Sequence, residues 1–156
     1  ERVSARRKRI HSEKELSGII FDRVRDSESF GRIRSKGDTA LFGGQTTQGM
    51  KGKLRVPKGR ALADFLPTIT IKAKDFANEI TNFNIKRNDL RTEFTITDEH
   101  VRNNRQVRKL LVDRGIVPET LPPAEDVKKV ERRLVSDQRK LPRKTEPLEG
   151  DAEAGN

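Results

Sequence analysis

The chain of 156 residues has no Cys, no Trp and no Tyr, and only two His and one Met. Without Cys there are no disulfides, no thiolate metal ligands and no thiol nucleophile. Without Tyr there is no phenolic nucleophile either. His11 and His100 stand 89 positions apart, so no local H-E-x-x-H metal motif exists. No apolar run approaches the roughly 18 residues that a membrane span needs, and no apolar stretch near Glu1 resembles a secretory signal. No membrane partner and no cofactor are expected. The chain starts at Glu1 rather than Met and soon enters the run Arg6-Arg7-Lys8-Arg9, which suggests a fragment or a processed product of a longer protein.

What is abundant is charge. Lys and Arg number 34 against 24 Asp and Glu, for a net charge of +10 and an isoelectric point near 10.2. Leu, Ile, Val and Phe together make 39 residues, a quarter of the chain. That lies above the floor of roughly 20 % below which charged chains stay disordered. One domain with a lean core is therefore expected over residues 1–141. The charge is unevenly placed: residues 1–60 carry 16 basic and 7 acidic side chains, residues 61–96 carry 5 of each, and residues 97–156 carry 13 and 12. Within residues 31–60, Arg32, Arg34, Lys36, Lys51, Lys53, Arg55, Lys58 and Arg60 face the single acid Asp38, and seven of the eleven glycines fall there too. The apolar residues concentrate instead in 61–96, where Phe65, Phe76, Phe83 and Phe94 are expected to build the core.

The spacing of apolar residues predicts an all-α fold. Leu16, Ile19, Ile20 and Val24 predict an amphipathic helix over about 8–25. Phe30, Ile33, Leu41 and Phe42 predict a shorter helix that stops at Gly43-Gly44. Residues 46–56 read as a loop or a short helix. Pro67 suits a helix entry, and Ile69, Ala73, Phe76, Ala77, Ile80 and Phe83 recur at helical spacing, which outweighs the strand-like Ile69-Thr70-Ile71. Thr97 followed by Asp98-Glu99 predicts an N-cap for a helix that runs past Leu111 to Gly115, with Asn103-Asn104 as a point where it can break. Pro122-Pro123 predict the start of a last helix bearing Val127, Val130 and Leu134. Residues 142–156 read as a disordered tail.

Enzymatic motifs fit poorly. Gly44 to Lys51 approaches a phosphate-binding loop, but Met50 takes the place of its Lys and the Ser/Thr for magnesium is missing. Glu125, Asp126 and Lys128 have the composition of a metal-dependent nuclease site, yet acids in a helix's first turn are explained more simply by the helix dipole. His11 and His100 read as surface residues. The basic glycine-rich segment is different, because seven net positive charges in 30 residues repel one another and call for an anionic partner. Its eight cations are the candidate nucleic-acid contacts, directed at phosphates and therefore sensitive to salt and nearly blind to sequence.

Several strings carry a resemblance: Gly31-Arg32-Ile33-Arg34-Ser35-Lys36-Gly37-Asp38, Ala40-Leu41-Phe42-Gly43-Gly44, Val56-Pro57, and Leu62 through Thr68. Ile71 through Glu79 and Leu121 through Asp126 add to it. Over roughly residues 13–141 the chain resembles the bacterial DNA-damage-inducible protein D family. The resemblance implies a cytoplasmic, nucleoid-associated protein of the SOS response that modulates RecA-type recombinase filaments on single-stranded DNA without catalysing a reaction. Members of that family usually carry a further N-terminal domain similar to Bro-N, which this chain lacks, and the resemblance brings no catalytic residue. The expected partners are DNA, single-stranded by preference, and the recombinase filament. The alternative is a protein-interaction module that uses the charged helices at 8–25 and 97–114, with a nuclease a distant third.

Overall fold

In the computed structural model of the protein, residues 1–142 are described. They form helices α1 (Arg2–Val24), α2 (Ser29–Leu41), α3 (Thr47–Lys53), α4 (Thr68–Arg87), α5 (Glu93–Asp113) and α6 (Val127–Lys140), with 3-10 turns at Leu62–Phe65 and Pro118–Thr120 and no strand among the described residues. The fold is all-α. The expected tail at 142–156 lies, apart from Pro142, outside the described residues.

Four long helices make the body. A left-handed Arg25 ends α1 and the chain returns as α2; α4 and α5 form a second hairpin. The two hairpins pack α1 beside α4 and α2 beside α5. Cross-links fix the directions. Glu1 meets Lys72 and Glu15 meets Lys86, so α1 and α4 run parallel. Arg32 meets Glu93 while Arg108 reaches Leu41 O, so α2 and α5 run parallel too. Parallel neighbours need a long return, and residues 42–67, with α3 and the first 3-10 turn, supply it. Gly43 and Gly44, at φ 63° and 100°, end α2 as the sequence suggests.

Several boundaries differ from the sequence expectation. Helix α1 begins at Arg2 rather than near residue 8, and residues 47–53 are helical, capped by Thr46 accepting from Gly49 N. The cap of α5 is Thr92, not Thr97: Thr92 and Thr95 close a reciprocal capping box, and α5 starts four residues before Thr97. No break occurs at Asn103-Asn104, because Asn103 Nδ2 donates to Thr81 Oγ1 and Asn104 Nδ2 to His100 O. Pro122 and Pro123 do not open α6. They lie in extended chain, Ala124 N donates to Phe65 O, and Asp126 is the cap.

The core is built in three layers. One apolar cluster joins Leu41, Phe42, Met50, Leu54, Leu62, Leu66, Ile71 and Val107 at the crossover end. A second joins Leu16, Ile20, Ile33, Ile85 and Ile96 at the hairpin end. Between them lies a buried polar layer of Arg9, Ser12, Asp38, Lys74, Asn78, Thr81, Asn82, His100, Asn103 and Asn104. Lys74 pairs with Asp38, Arg9 pairs with Glu13, and Thr81 Oγ1 lies 2.8 Å from His100 Nδ1. His100 is therefore an interior residue, 3 % exposed, and not the surface residue its sequence neighbours suggest. Gly37 makes room for it: a Cβ there would stand 2.5 Å from His100 Cδ2.

The phenylalanines are misplaced by the sequence reading. Phe65 is half-buried, but Phe76, Phe83 and Phe94 are 56 %, 63 % and 81 % exposed. Helix α4 carries two apolar stripes on opposite sides. The core takes the one with Ile71, Ala77 and Ile85, leaving Phe76 and Phe83 outward.

Candidate nucleic-acid interface

The eight cations of residues 31–60 do not form one surface. Arg32 sits at the hairpin end among three carboxylates, 2.5 Å from Asp26, 2.7 Å from Glu93 and 3.8 Å from Glu28. Hydrogen bonds from it to Glu93 and then Asp26 raise its pKa. Arg34 pairs with Glu13 at 3.2 Å and lies over the Phe30 ring. Lys36 borders a depression with Phe94, Asp98 and Arg105. At the opposite end of the bundle Lys53 Nζ donates to Glu119 O, while Lys51, Arg55 and Lys58 line a shallow hollow of about 540 Å³ on the crossover. Among the described residues no carboxylate pairs with Lys36, Lys51, Arg55 or Lys58.

Arg60 belongs to an ionic knot that ties the crossover to α1 and α6. Its guanidinium forks onto Asp126, Nη1 to Oδ2 at 2.8 Å and Nη2 to Oδ1 at 2.6 Å, and reaches Asp64 at 3.2 Å. Arg6 Nε donates to the other side of Asp64 at 2.9 Å, and Arg2 donates to Asp64 O and Glu125 O. The Arg60 hydrogen bonds, with help from Lys128 N, hold the Asp126 carboxyl down at about 2. Asp126 thus caps α6 and anchors it. Glu125 points elsewhere, forked by Arg133 at 3.0 Å. The two acids are structural partners of arginines, and among the described residues no group of three or more His, Asp or Glu is placed to hold a metal ion.

Beside the knot, α6 leaves the body. Val127 is its buried anchor, whereas Leu134, Val135 and Leu141 stay exposed. The groove between α6 and the start of α1 has a volume of about 1010 Å³ and is lined by Arg7, Arg60, Lys128, Arg132, Arg139 and Lys140 against one acid, Glu131. Arg60 is spent on Asp126, and Arg7 meets Glu131 only at 3.6 Å with 72 % of its side chain exposed. The remaining cations turn their charge to solvent. Among the described cavities this one gathers the most cations, and a groove of guanidinium and ammonium groups on a helix face suits a phosphate backbone.

Of the sequence candidates, only Arg60 lines this groove. Lys128, Arg132, Arg139 and Lys140 are hidden because residues 97–156 are nearly neutral as a block, and Arg7 stands in the basic run Arg6-Arg7-Lys8-Arg9, outside residues 31–60. The usable signal is local: Val127–Lys140 holds six basic side chains against Glu131 and Asp137.

Compared with known families, residues 1–130 match the family described as DinD C-terminal domain, the match ending in the first turn of α6. No curated protein and no solved structure matches the chain.

Proposed function

The chain belongs to the DinD C-terminal domain family, a family of DNA-damage-inducible proteins, and on that premise we propose that it is a non-enzymatic accessory protein that binds DNA or nucleoprotein and modulates RecA-type recombinase filaments on single-stranded DNA. The observation that carries the DNA contact is the α1–α6 groove, with six cations around one acid. Lys51, Arg55 and Lys58 on the crossover are the auxiliary contacts. Arg32 and Arg34 contribute less, since carboxylates already occupy them. Such a protein works in the cytoplasm at the nucleoid; no helix among the described residues is long and apolar enough to cross a membrane.

The test is a salt titration of binding to single-stranded DNA, with and without the recombinase. Affinity should fall with log salt at a slope of about −0.7 per contacted phosphate, so Arg132→Gln/Arg139→Gln/Lys140→Gln should flatten the line by up to about two units. Arg32→Gln/Arg34→Gln should leave it nearly unchanged. A groove variant with the wild-type slope would refute the assignment. DNA should stay intact in magnesium or manganese. A second reading, a protein-interaction module, draws on the exposed Phe21 on α1 and Phe94 on α5; it requires that Phe21→Asp/Phe94→Asp lose recombinase binding while the DNA slope persists.

A further inference from the structure

On the solvent side of α4, Ile69, Phe76 and Phe83 follow one another at intervals of seven residues with the half-buried Ile80 beside them, while the intervening Ala73 belongs to the core. The seven-residue interval is the spacing of a coiled-coil seam, and this stripe lies opposite the Ile71 and Ile85 face that the bundle core uses. Ile69, Phe76 and Phe83 are 43 %, 56 % and 63 % exposed. Seam-spaced large apolar groups of this kind on one exposed face mark an interaction surface.

We propose that this face pairs with the same face of a second copy of the chain, in an antiparallel arrangement about a two-fold axis near Phe76. Charge selects both the occupant and the direction. The seam is flanked on the α1 side by Lys72 and Glu79, both exposed. When two α4 helices run antiparallel, equivalent flanks face one another, so Lys72 meets Glu79 of the partner subunit and the pair recurs by symmetry. The same register sets Phe76 against the partner subunit's Phe76, and Ile69 against the partner subunit's Phe83. In the parallel arrangement Lys72 and Glu79 face the uncharged positions of Ala77 and Asn84, and the complementarity is lost. Lys72 already reaches Glu1 at 2.6 Å, but both side chains are more than half exposed and that pair exchanges readily. Nucleic acid suits the face poorly, because Glu79 and the half-buried Asp75 offset Lys72 and Lys86 along it and leave Arg87, stacked over Phe83, as the excess cation. Ile69, Phe76, Phe83 and the half-buried Ile80 of each copy make a small interface, which points to dissociation in the micromolar range.

Sedimentation equilibrium of the whole chain tests this. The wild type should show a monomer–dimer equilibrium. Phe76→Asp should weaken it at least about tenfold, with unchanged circular dichroism because the side chain is outside the core. Lys72→Glu and Glu79→Lys should each weaken the dimer, and the double exchange should restore it. A wild-type chain that is monomeric at up to about 200 µM overturns the proposal, since that is well above the expected dissociation range. So does a dimer indifferent to Phe76→Asp, and a dimer whose charge exchange brings no rescue overturns the antiparallel register. Loss of DNA binding in Phe76→Asp, with the wild type monomeric, would assign the face to nucleic acid instead.

Discussion

At the scale of single residues, the polar layer decides the most. Burial of His100 disfavours its charged form and pushes its pKa down to about 4, against about 6.5 in an unfolded chain. Asp38, Lys74, Glu13 and Glu99 surround it, and the pull of Asp38 is largely cancelled by Lys74. Because the folded value is the lower one, the unfolded chain binds a proton that the folded chain refuses between the two values. Stability is therefore full above about pH 6.5 and falls as pH drops toward 4. From about pH 7.5 to about pH 5 the loss from this group is about 2 kcal/mol. Urea unfolding across that range should show the slope in the wild type and lack it in His100→Gln; parallel slopes would contradict the assignment. Nothing in the local sequence announces this: His100 has Glu99, Val101 and Arg102 as neighbours, and only the approach of Gly37 and Thr81 makes its place an interior one.

At the scale of elements, existence was easier to read than polarity or ends. The helices around Leu16, Ile33, Ile80 and Leu111 are all present where apolar spacing puts them. In α4 the spacing supports two faces equally, one through Ile71 and Ile85 and one through Phe76 and Phe83. The larger side chains of the second face predict that it is the inner one, but volume does not decide burial, and the core takes the face of Ile71 and Ile85. Capping depended on partners outside the local motif. Asp126 is chosen as the cap of α6 over the residues after Pro123 because Arg60, distant in sequence, fixes its carboxylate. Asp126→Ala should remove the cap and the fork together. Loss of an N-cap alone costs about 1 kcal/mol, and α6 has little else to hold it. The expected result is a lower melting midpoint with early proteolytic cleavage within α6, while cleavage elsewhere stays slow. Cleavage spread evenly along the chain would show that Asp126 supports the whole body instead.

At the scale of the whole molecule, the body and α6 have different duties. Two parallel-packed hairpins, closed by the crossover, bury nearly all of the core, whereas beyond Val130 helix α6 contributes no buried residue among those described. A chain ending at Val130 keeps Val127 and the Arg60–Asp126 fork. It should melt within about 2 °C of the longer chain, as exposed segments contribute little to stability, yet lose most of its salt-dependent affinity for single-stranded DNA. A fall of many degrees would show that α6 docks on the body, and retained affinity would move the DNA contact to Lys51, Arg55 and Lys58.

What the sequence determined by itself rests on local physics. Absent thiols and long apolar runs close off whole classes of chemistry, 3.6-residue periodicity makes the helices, Gly43-Gly44 and Gly115 stop two of them, and the strings from Gly31 to Asp126 carry the family. What only the tertiary structure decided depends on side chains far apart in the chain. A cation is free or spent according to whether a carboxylate meets it, and the acids that occupy Arg32, Arg34 and Arg60 come mostly from other elements: Glu13, Asp26, Glu93 and Asp126. Charge counted along the sequence therefore pointed to residues 31–60, while charge left over after folding gathers between α1 and α6, because pairing is settled by distance in space and not by position in the chain.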